Sequence, residues 1–164
     1  MIKLDKFDIA ILETLQTEGR MTKLKLSEKI GLSLTPCFER VKKLEKNNII
    51  KSYRADIDLN KVTEFSTFLV TVVLKEHRAN DFQIFENKIK KYPEIVECYA
   101  VAGGIDYILK VVDVDIKYYQ NLIDEILVSG INIAQYYTYI ITKAVIKDRG
   151  VPIQRIIDKK NQDI

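Results

Sequence analysis

The residues best suited to chemistry are six basic side chains that lie between Ser33 and Arg54. Only two acids accompany them, so this segment carries a net charge of +4, whereas residues 61–164 hold equal numbers of acids and bases. Phosphate binding requires such a cluster, because each cation that displaces a condensed counterion from a nucleic acid adds affinity. A solvated helix face would carry the same charges, so charge alone leaves both interpretations open. The six are Arg40, Lys42, Lys43, Lys46, Lys51 and Arg54.

The other reactive side chains are too sparse to predict catalysis. His77 is the single histidine, expected in an exposed polar turn, and Cys37 and Cys98 lie far apart, which argues against a zinc site or a disulfide framework. The sequence has no Ser/His/Asp set and no P-loop, and a strand rather than a helix follows the glycine pair at 103–104. We therefore expect that the protein is not an enzyme and that it binds no metal and no cofactor. An enzyme built on the C-terminal domain is the rival hypothesis.

The first 50 residues predict three helices that would position the basic cluster. Each begins after a residue whose side chain can cap it, and Gly19 and Gly31 stop the first two. The caps are Asp5, Thr22 and Ser33. Two short helices joined by a tight turn, the second of them basic, predict a helix-turn-helix, although a plain three-helix bundle is the alternative.

In the predicted helix-turn-helix, apolar side chains hold the two helices at a fixed angle, and the opposite face of the second helix is free to enter a DNA major groove. The apolar set is Leu26, Ile30, Leu32, Phe38 and Val41. The free face carries Ser33, Thr35, Glu39, Arg40 and Lys43.

The second half of the chain predicts a ferredoxin-like β-α-β-β-α-β domain, so the fold class is α+β. Residues 51–60 read as a strand or an extended connector, with the domain boundary near residue 60. We expect a DNA-binding domain over 1–60, a ferredoxin-like domain over 61–147 and a polar tail without function over 148–164. The predicted strands span 65–74, 95–102, 106–114 and 133–146, and the helices span 81–92, ended by Pro93, and the stretch that follows the cap Asp115.

The strands are apolar on both sides, whereas both helices of this fold cover a single face of the sheet. An apolar face left open to water would be an aggregation hazard, so the sequence predicts a homodimer that buries it. Neither a secretory signal nor a run of about 18 apolar residues is present, so we expect a cytoplasmic protein without a membrane partner.

Two segments, SLTPCFERVKKLE (33–45) and VAGGIDYILKV (101–111), resemble the Lrp/AsnC family of leucine-responsive and related regulators, in register from about residue 4 to 147. The resemblance implies a winged helix-turn-helix joined to a ferredoxin-like sensing domain of the RAM type. It also implies binding to double-stranded DNA, homodimers that often assemble into octamers, and amino-acid effectors bound between dimers.

By the same resemblance, the DNA surface includes Ser33, Thr35, Pro36 and Arg40, and the effector loop includes Gly103, Asp106 and Tyr107 with Thr138 nearby. Asp106 would accept the ammonium group of an amino acid, the amides of Gly103 and Gly104 would meet its carboxylate, and Gln135 would add a weaker contact.

The sequence departs from the family at three positions. Leu34 stands where many members have proline, Gly104 replaces a common acid, and Tyr136 stands where threonine is common. Two alternatives therefore stay open: Asp106 and Tyr107 as a hairpin turn with an interfacial tyrosine, and a regulator that binds no ligand and acts through its concentration alone.

Overall fold

The computed structural model describes residues 2–147 and 149–162 of the 164-residue chain. The chain divides into two compact units: the first joins the residues up to Ile57 with those from Ile146 onward, and the second spans Asp58–Val145. Within the described residues, no helix combines the length and the apolar character needed to cross a membrane.

The N-terminal part of the first unit is helical, as the sequence predicts. The Asp5 carboxylate caps α1 by accepting from the amides of Phe7 (2.9 Å) and Asp8 (3.0 Å). The Thr22 hydroxyl caps α2 by accepting from the Lys25 amide, and Gly31 ends α2 in the left-handed region, at φ 73°. The three helices are α1 (Lys6–Thr17), α2 (Lys23–Ile30) and α3 (Leu34–Lys46).

The core of the first unit joins these three helices. Cys37, which the sequence pattern did not place in the core, is fully buried there, and burial raises the pKa of its thiol. The other buried members are Ile11, Leu12, Leu26 and Leu44, and the partly buried side chains of Ile30, Leu32 and Val41 pack against them.

The second unit is the predicted β-α-β-β-α-β arrangement, with one antiparallel sheet in the order β2-β3-β1-β4. A short 3-10 turn, Leu59–Lys61, precedes it. The elements are β1 (Ser66–Leu74), α4 (Ala79–Ile89), β2 (Ile95–Ala100), β3 (Tyr107–Asp113), α5 (Ile116–Val128) and β4 (Ile133–Ile140).

Two boundaries differ from the expected ones by more than two residues. The last strand ends at Ile140, which pairs with Phe68, rather than at 146; since β1 begins at Ser66, only two of its residues remain beyond that pair. The helix expected to stop at Pro93 ends at Ile89, and the chain then continues through turns. Residues 51–58 form neither helix nor strand, so of the two expected alternatives, a strand or an extended connector, the connector is the one observed.

Alternation along the strands separates the two faces of the sheet. One face packs under α4 and α5 and is buried, with Phe68, Val70, Val72 and Leu74 of β1 at its centre. The other face, called here the open face, has no protein layer over it within the second unit. It carries Leu69, Thr71, Val73, Glu97, Tyr99, Ile108, Lys110, Gln135, Tyr137 and Tyr139.

The segment expected to be a polar tail instead packs on the first unit. Helix α6 (Ile153–Gln162) follows two reciprocal hydrogen bonds between the Gln16 side chain and the Val151 backbone, at 2.8 and 3.1 Å. The amide of Gln154 donates to Glu13, and Ile153 joins the apolar core. These contacts attach the end of the chain to α1. Residues 148, 163 and 164 of the expected tail lie outside the described residues.

Candidate nucleic-acid interface and effector loop

One face of α3 is exposed along its whole length. Its members recur at the helical spacing i, i+4, i+7, i+8 and i+11, which aligns them on a single stripe, and they are Thr35, Glu39, Lys42, Lys43 and Lys46. Among the residues that the structure describes, no carboxylate pairs with any of its three lysines. The stripe therefore presents cationic groups to solvent. Sequence reasoning placed Lys43 on the free face and counted Lys42 and Lys46 only in the basic cluster, although the same periodicity puts them on that face.

The first turn of α3 is also exposed but carries no charge. Ser33 occupies the N-cap position, yet its side chain makes no capping hydrogen bond, contrary to expectation. Leu34, Thr35 and Pro36 follow and are all exposed. The uncharged start of the helix, Ser33–Pro36, is called here the tip, and the basic residues lie on the later turns.

Arg40 lies on a different side of α3 from the stripe. Its Nη1 donates to Asp5 Oδ2 and to Asp8 Oδ1, each at 2.7 Å, so it ties α3 to the beginning of α1. The Asp8 side chain is only 4% exposed, and that of Arg40 is 29% exposed. Arg40 therefore makes an intramolecular ion pair that no nearby residue in the sequence indicates, and its expected contact with DNA stays a prediction.

The same cluster sets the titration of Asp5. The hydrogen bond from the Asp8 amide, followed by the interaction with Arg40, holds the pKa of Asp5 below its ordinary value. A carboxyl with a lowered pKa in the folded state contributes stability at neutral pH. That contribution is lost as the pH falls through the lowered pKa.

Two aromatic residues connect α3 to its neighbours in the first unit. The Phe38 ring lies under the ammonium groups of Lys23 (3.6 Å) and Lys42 (4.7 Å), which links α2 to α3. The hydroxyl of Tyr53, in the connector, donates to Glu45 at 2.9 Å. Burial and the Glu45 carboxylate raise the pKa of Tyr53 to about 12, so its hydroxyl stays protonated and keeps this bond at neutral pH.

Three of the predicted effector residues lie together in the turn between β2 and β3. Gly103 has φ 141°, a conformation that L side chains rarely adopt, and space around both Gly103 and Gly104 is open. Asp106 Oδ2 accepts from the Leu74 amide (2.8 Å) and faces His77 Nε2 (3.1 Å). His77, expected in an exposed turn, is thus exposed but bonded to Asp106 of the predicted effector loop, which the sequence did not indicate.

The other three predicted effector residues lie elsewhere. Tyr107 is 2% exposed, stacks on Phe85 and donates to Glu86 at 3.0 Å, so its side chain belongs to the core. Burial, followed by the Glu86 bond, raises the pKa of Tyr107. Thr138 shares a hydrogen bond with Tyr119 on the helix-covered side. Gln135 lies on the open face and donates to Tyr137.

Strand alternation explains this separation. Residues an odd number apart on one strand point to opposite faces, so Gln135 and Thr138 of β4 cannot meet on the same side of the sheet. Within one chain the six predicted residues therefore form a loop cluster of three residues and three separate strand positions. In the described part of the chain, no group of three or more His, Cys, Asp or Glu side chains is arranged to hold a metal ion.

A helix-turn-helix with an exposed basic stripe, followed by an antiparallel sheet domain with an open loop at its edge, defines a two-domain DNA-binding regulator. The similarity of the sequence to known protein families agrees with this class. The family model described as the Lrp/AsnC ligand binding domain matches residues 67–151, and one described as a winged helix-turn-helix DNA-binding domain matches residues 4–51.

Individual relatives extend over most of the chain. The transcriptional regulatory protein DoeX of Halomonas elongata is 46% identical over 144 residues, which cover 88% of this chain and 91% of that protein. The leucine-responsive regulatory protein of Escherichia coli K12 is 34% identical over 142 residues, 87% of each chain. The solved structure of a Neisseria meningitidis transcriptional regulator in complex with L-methionine has a TM-score of 0.87, with 28% identity, and covers 94% of this chain and 99% of that one.

The chain therefore belongs to the Lrp/AsnC family of DNA-binding transcriptional regulators. The expected family and fold class are confirmed.

The ion pairs of Arg40 with Asp5 and Asp8 should stabilise the first unit. Arg40→Ala leaves the buried Asp8 carboxylate without its cation, and we expect the first unit to lose about 3 kcal/mol of unfolding free energy. Hydrogen exchange of the α1 amides measures this loss. Adding Asp8→Asn, which removes the unpaired charge, should recover part of it.

Lys43→Ala, on the same helix, is the matched control and should change stability by no more than about 0.5 kcal/mol. Equal stability of the Arg40→Ala and Lys43→Ala variants would contradict a structural role for Arg40.

Proposed function

We propose that this regulator reads its operator with the exposed side of α3, senses an amino acid at the loop between β2 and β3, and acts in the cytoplasm as a homodimer. DNA binding is supported by the exposed stripe of α3, because its three lysines lie on one face and pair with no carboxylate among the described residues. In this scheme Lys42, Lys43 and Lys46 contact phosphates, whereas Ser33, Thr35, Pro36 and Glu39 approach base edges.

Removing one phosphate contact should weaken DNA binding at every sequence and make it less sensitive to salt. For Lys43→Ala we expect the slope of log K against log salt concentration to become shallower by about 1, because one fewer counterion is released. Fluorescence anisotropy with a selected operator at several salt concentrations measures this slope.

Lys117→Ala, a substitution of an exposed lysine on α5, is the control and should leave the slope unchanged. A wild-type affinity that does not vary with salt would refute the proposed use of the basic stripe.

An amino-acid effector is supported by two of the relatives, one named for its response to leucine and one solved with L-methionine. The loop suits such a ligand chemically. Asp106 Oδ2 is occupied by the Leu74 amide and His77, which leaves Oδ1 to accept an ammonium group, and open space surrounds the two glycines. Tyr107 and Thr138 support this site from the core by holding β3 and β4, and Gln135 faces the open side of the sheet.

Calorimetry of the full chain against each of the twenty amino acids tests the effector site. Asp106→Asn keeps an oxygen for the Leu74 amide but removes the charge. We expect this variant to bind the amino acid with about 10- to 100-fold lower affinity. Asp113→Asn is the matched control, since Asp113 also accepts a backbone amide of the second unit. No heat with any amino acid would favour the regulator that acts through its concentration alone.

The homodimer is supported by the composition of the open face. Aliphatic side chains of β1 and β3 occupy its centre, and Tyr99, Tyr137 and Tyr139 are each about half exposed around them. Its charges are already paired, because Lys110 donates to Glu97 at 2.7 Å and Tyr99 also donates to Glu97, which holds the pKa of Glu97 below its ordinary value. The open face of a second copy is therefore a suitable partner surface for it.

Placing a charge on this face should weaken self-association. Tyr139→Lys is expected to raise the dimer dissociation constant at least tenfold, because the ammonium group would be desolvated in the interface. Sedimentation equilibrium measures the constant. Tyr118→Lys is the matched control, since Tyr118 on α5 is 55% exposed and Tyr139 is 56% exposed. Unchanged association of the Tyr139→Lys variant would exclude the open face as the interface.

A further inference from the structure

The tip of α3 lacks the side chains that most often recognise bases. It consists of Ser33, Leu34, Thr35 and Pro36, without an Arg, Lys, Asn or Gln among them. Arg and Lys recognise guanine, and Asn and Gln recognise adenine, through pairs of hydrogen bonds in the major groove. These contacts are not available to the tip.

The rest of α3 does not supply the missing guanidinium group. Arg40 is held by Asp5 and Asp8, and the three lysines of the stripe lie on later turns. The N-terminal residues of a recognition helix are the ones that contact base edges. The base contacts closest to the tip must therefore rely on hydroxyl groups and apolar surface.

Leu34 is the largest apolar side chain of the tip and is 48% exposed. In the major groove, the feature that an apolar side chain recognises is the 5-methyl group of thymine. Contact between the two would remove apolar surface of both from water.

We propose that Leu34 contacts the 5-methyl group of a thymine in each half of the operator and so helps to set the preferred sequence. This inference rests on the proposed reading of DNA by α3, and it adds the base feature that the tip selects. A partly exposed leucine on a protein surface is by itself ordinary. The inference depends instead on the position of Leu34 in a tip that has no other long side chain.

The experiment begins with a selection of DNA sequences bound by the full-length chain. In the selected operator each thymine is then replaced in turn by deoxyuridine, which pairs identically but lacks the methyl group. We expect the wild-type chain to lose about threefold to tenfold affinity at one symmetric pair of positions, the effect of losing one buried methyl contact. The same replacement should have no effect on the Leu34→Ser variant.

Two variants serve as controls. Leu24→Ser removes another exposed leucine, 57% exposed on α2, and should keep the wild-type response to deoxyuridine. Leu34→Met retains an apolar side chain and should keep most of the response. Thermal unfolding of each variant should match that of the wild type, because neither leucine belongs to the buried core.

The outcomes separate this inference from the proposed function. A chain that selects no DNA sequence would overturn both. A selected operator that tolerates deoxyuridine at every thymine, or a Leu34→Ser variant that keeps the wild-type sensitivity, would overturn only the contact between Leu34 and thymine.

Discussion

The ion pairs of Arg40 with Asp5 and Asp8 are the interaction on which the DNA-binding unit depends. Asp5 and Asp8 form the capping box of α1, so one guanidinium group fixes the start of that helix against the middle of α3. Because the Asp8 carboxylate is buried, the pairing cannot be exchanged for water without a large loss of stability. The orientation of the exposed stripe follows from this constraint, since Arg40 and the stripe lie on different sides of the same helix.

Most of the fold could be predicted from the sequence because its signals are local. Asp5, Thr22 and Asp115 cap helices through their own side chains, and the β-α-β-β-α-β order follows from hydrophobic periodicity. The end of β4 could not be predicted in this way. Its residues favour a strand up to 146, but where pairing stops depends on the extent and register of β1, which is distant in sequence.

The candidate site was less predictable because it depends on partners that are far apart in the chain. The periodicity of α3 identifies its exposed face, yet nothing near Arg40 in sequence shows that it faces α1, 32 and 35 residues earlier. The predicted effector residues can be separated by a signal that the sequence does contain. Tyr107 and Asp106 are adjacent on an alternating segment, so they point in different directions, and only Asp106 remains at the loop.

Helix α6 alters the order in which the molecule becomes complete. The chain leaves the first unit at Ile57, builds the whole second unit, and returns at Ile146 to pack Ile153 against the core beside α1. Because a ribosome makes residues in order, α6 can pack on the first unit only after the second unit has been synthesised. A nascent chain thus contains the whole second unit before the packing of the first unit is complete.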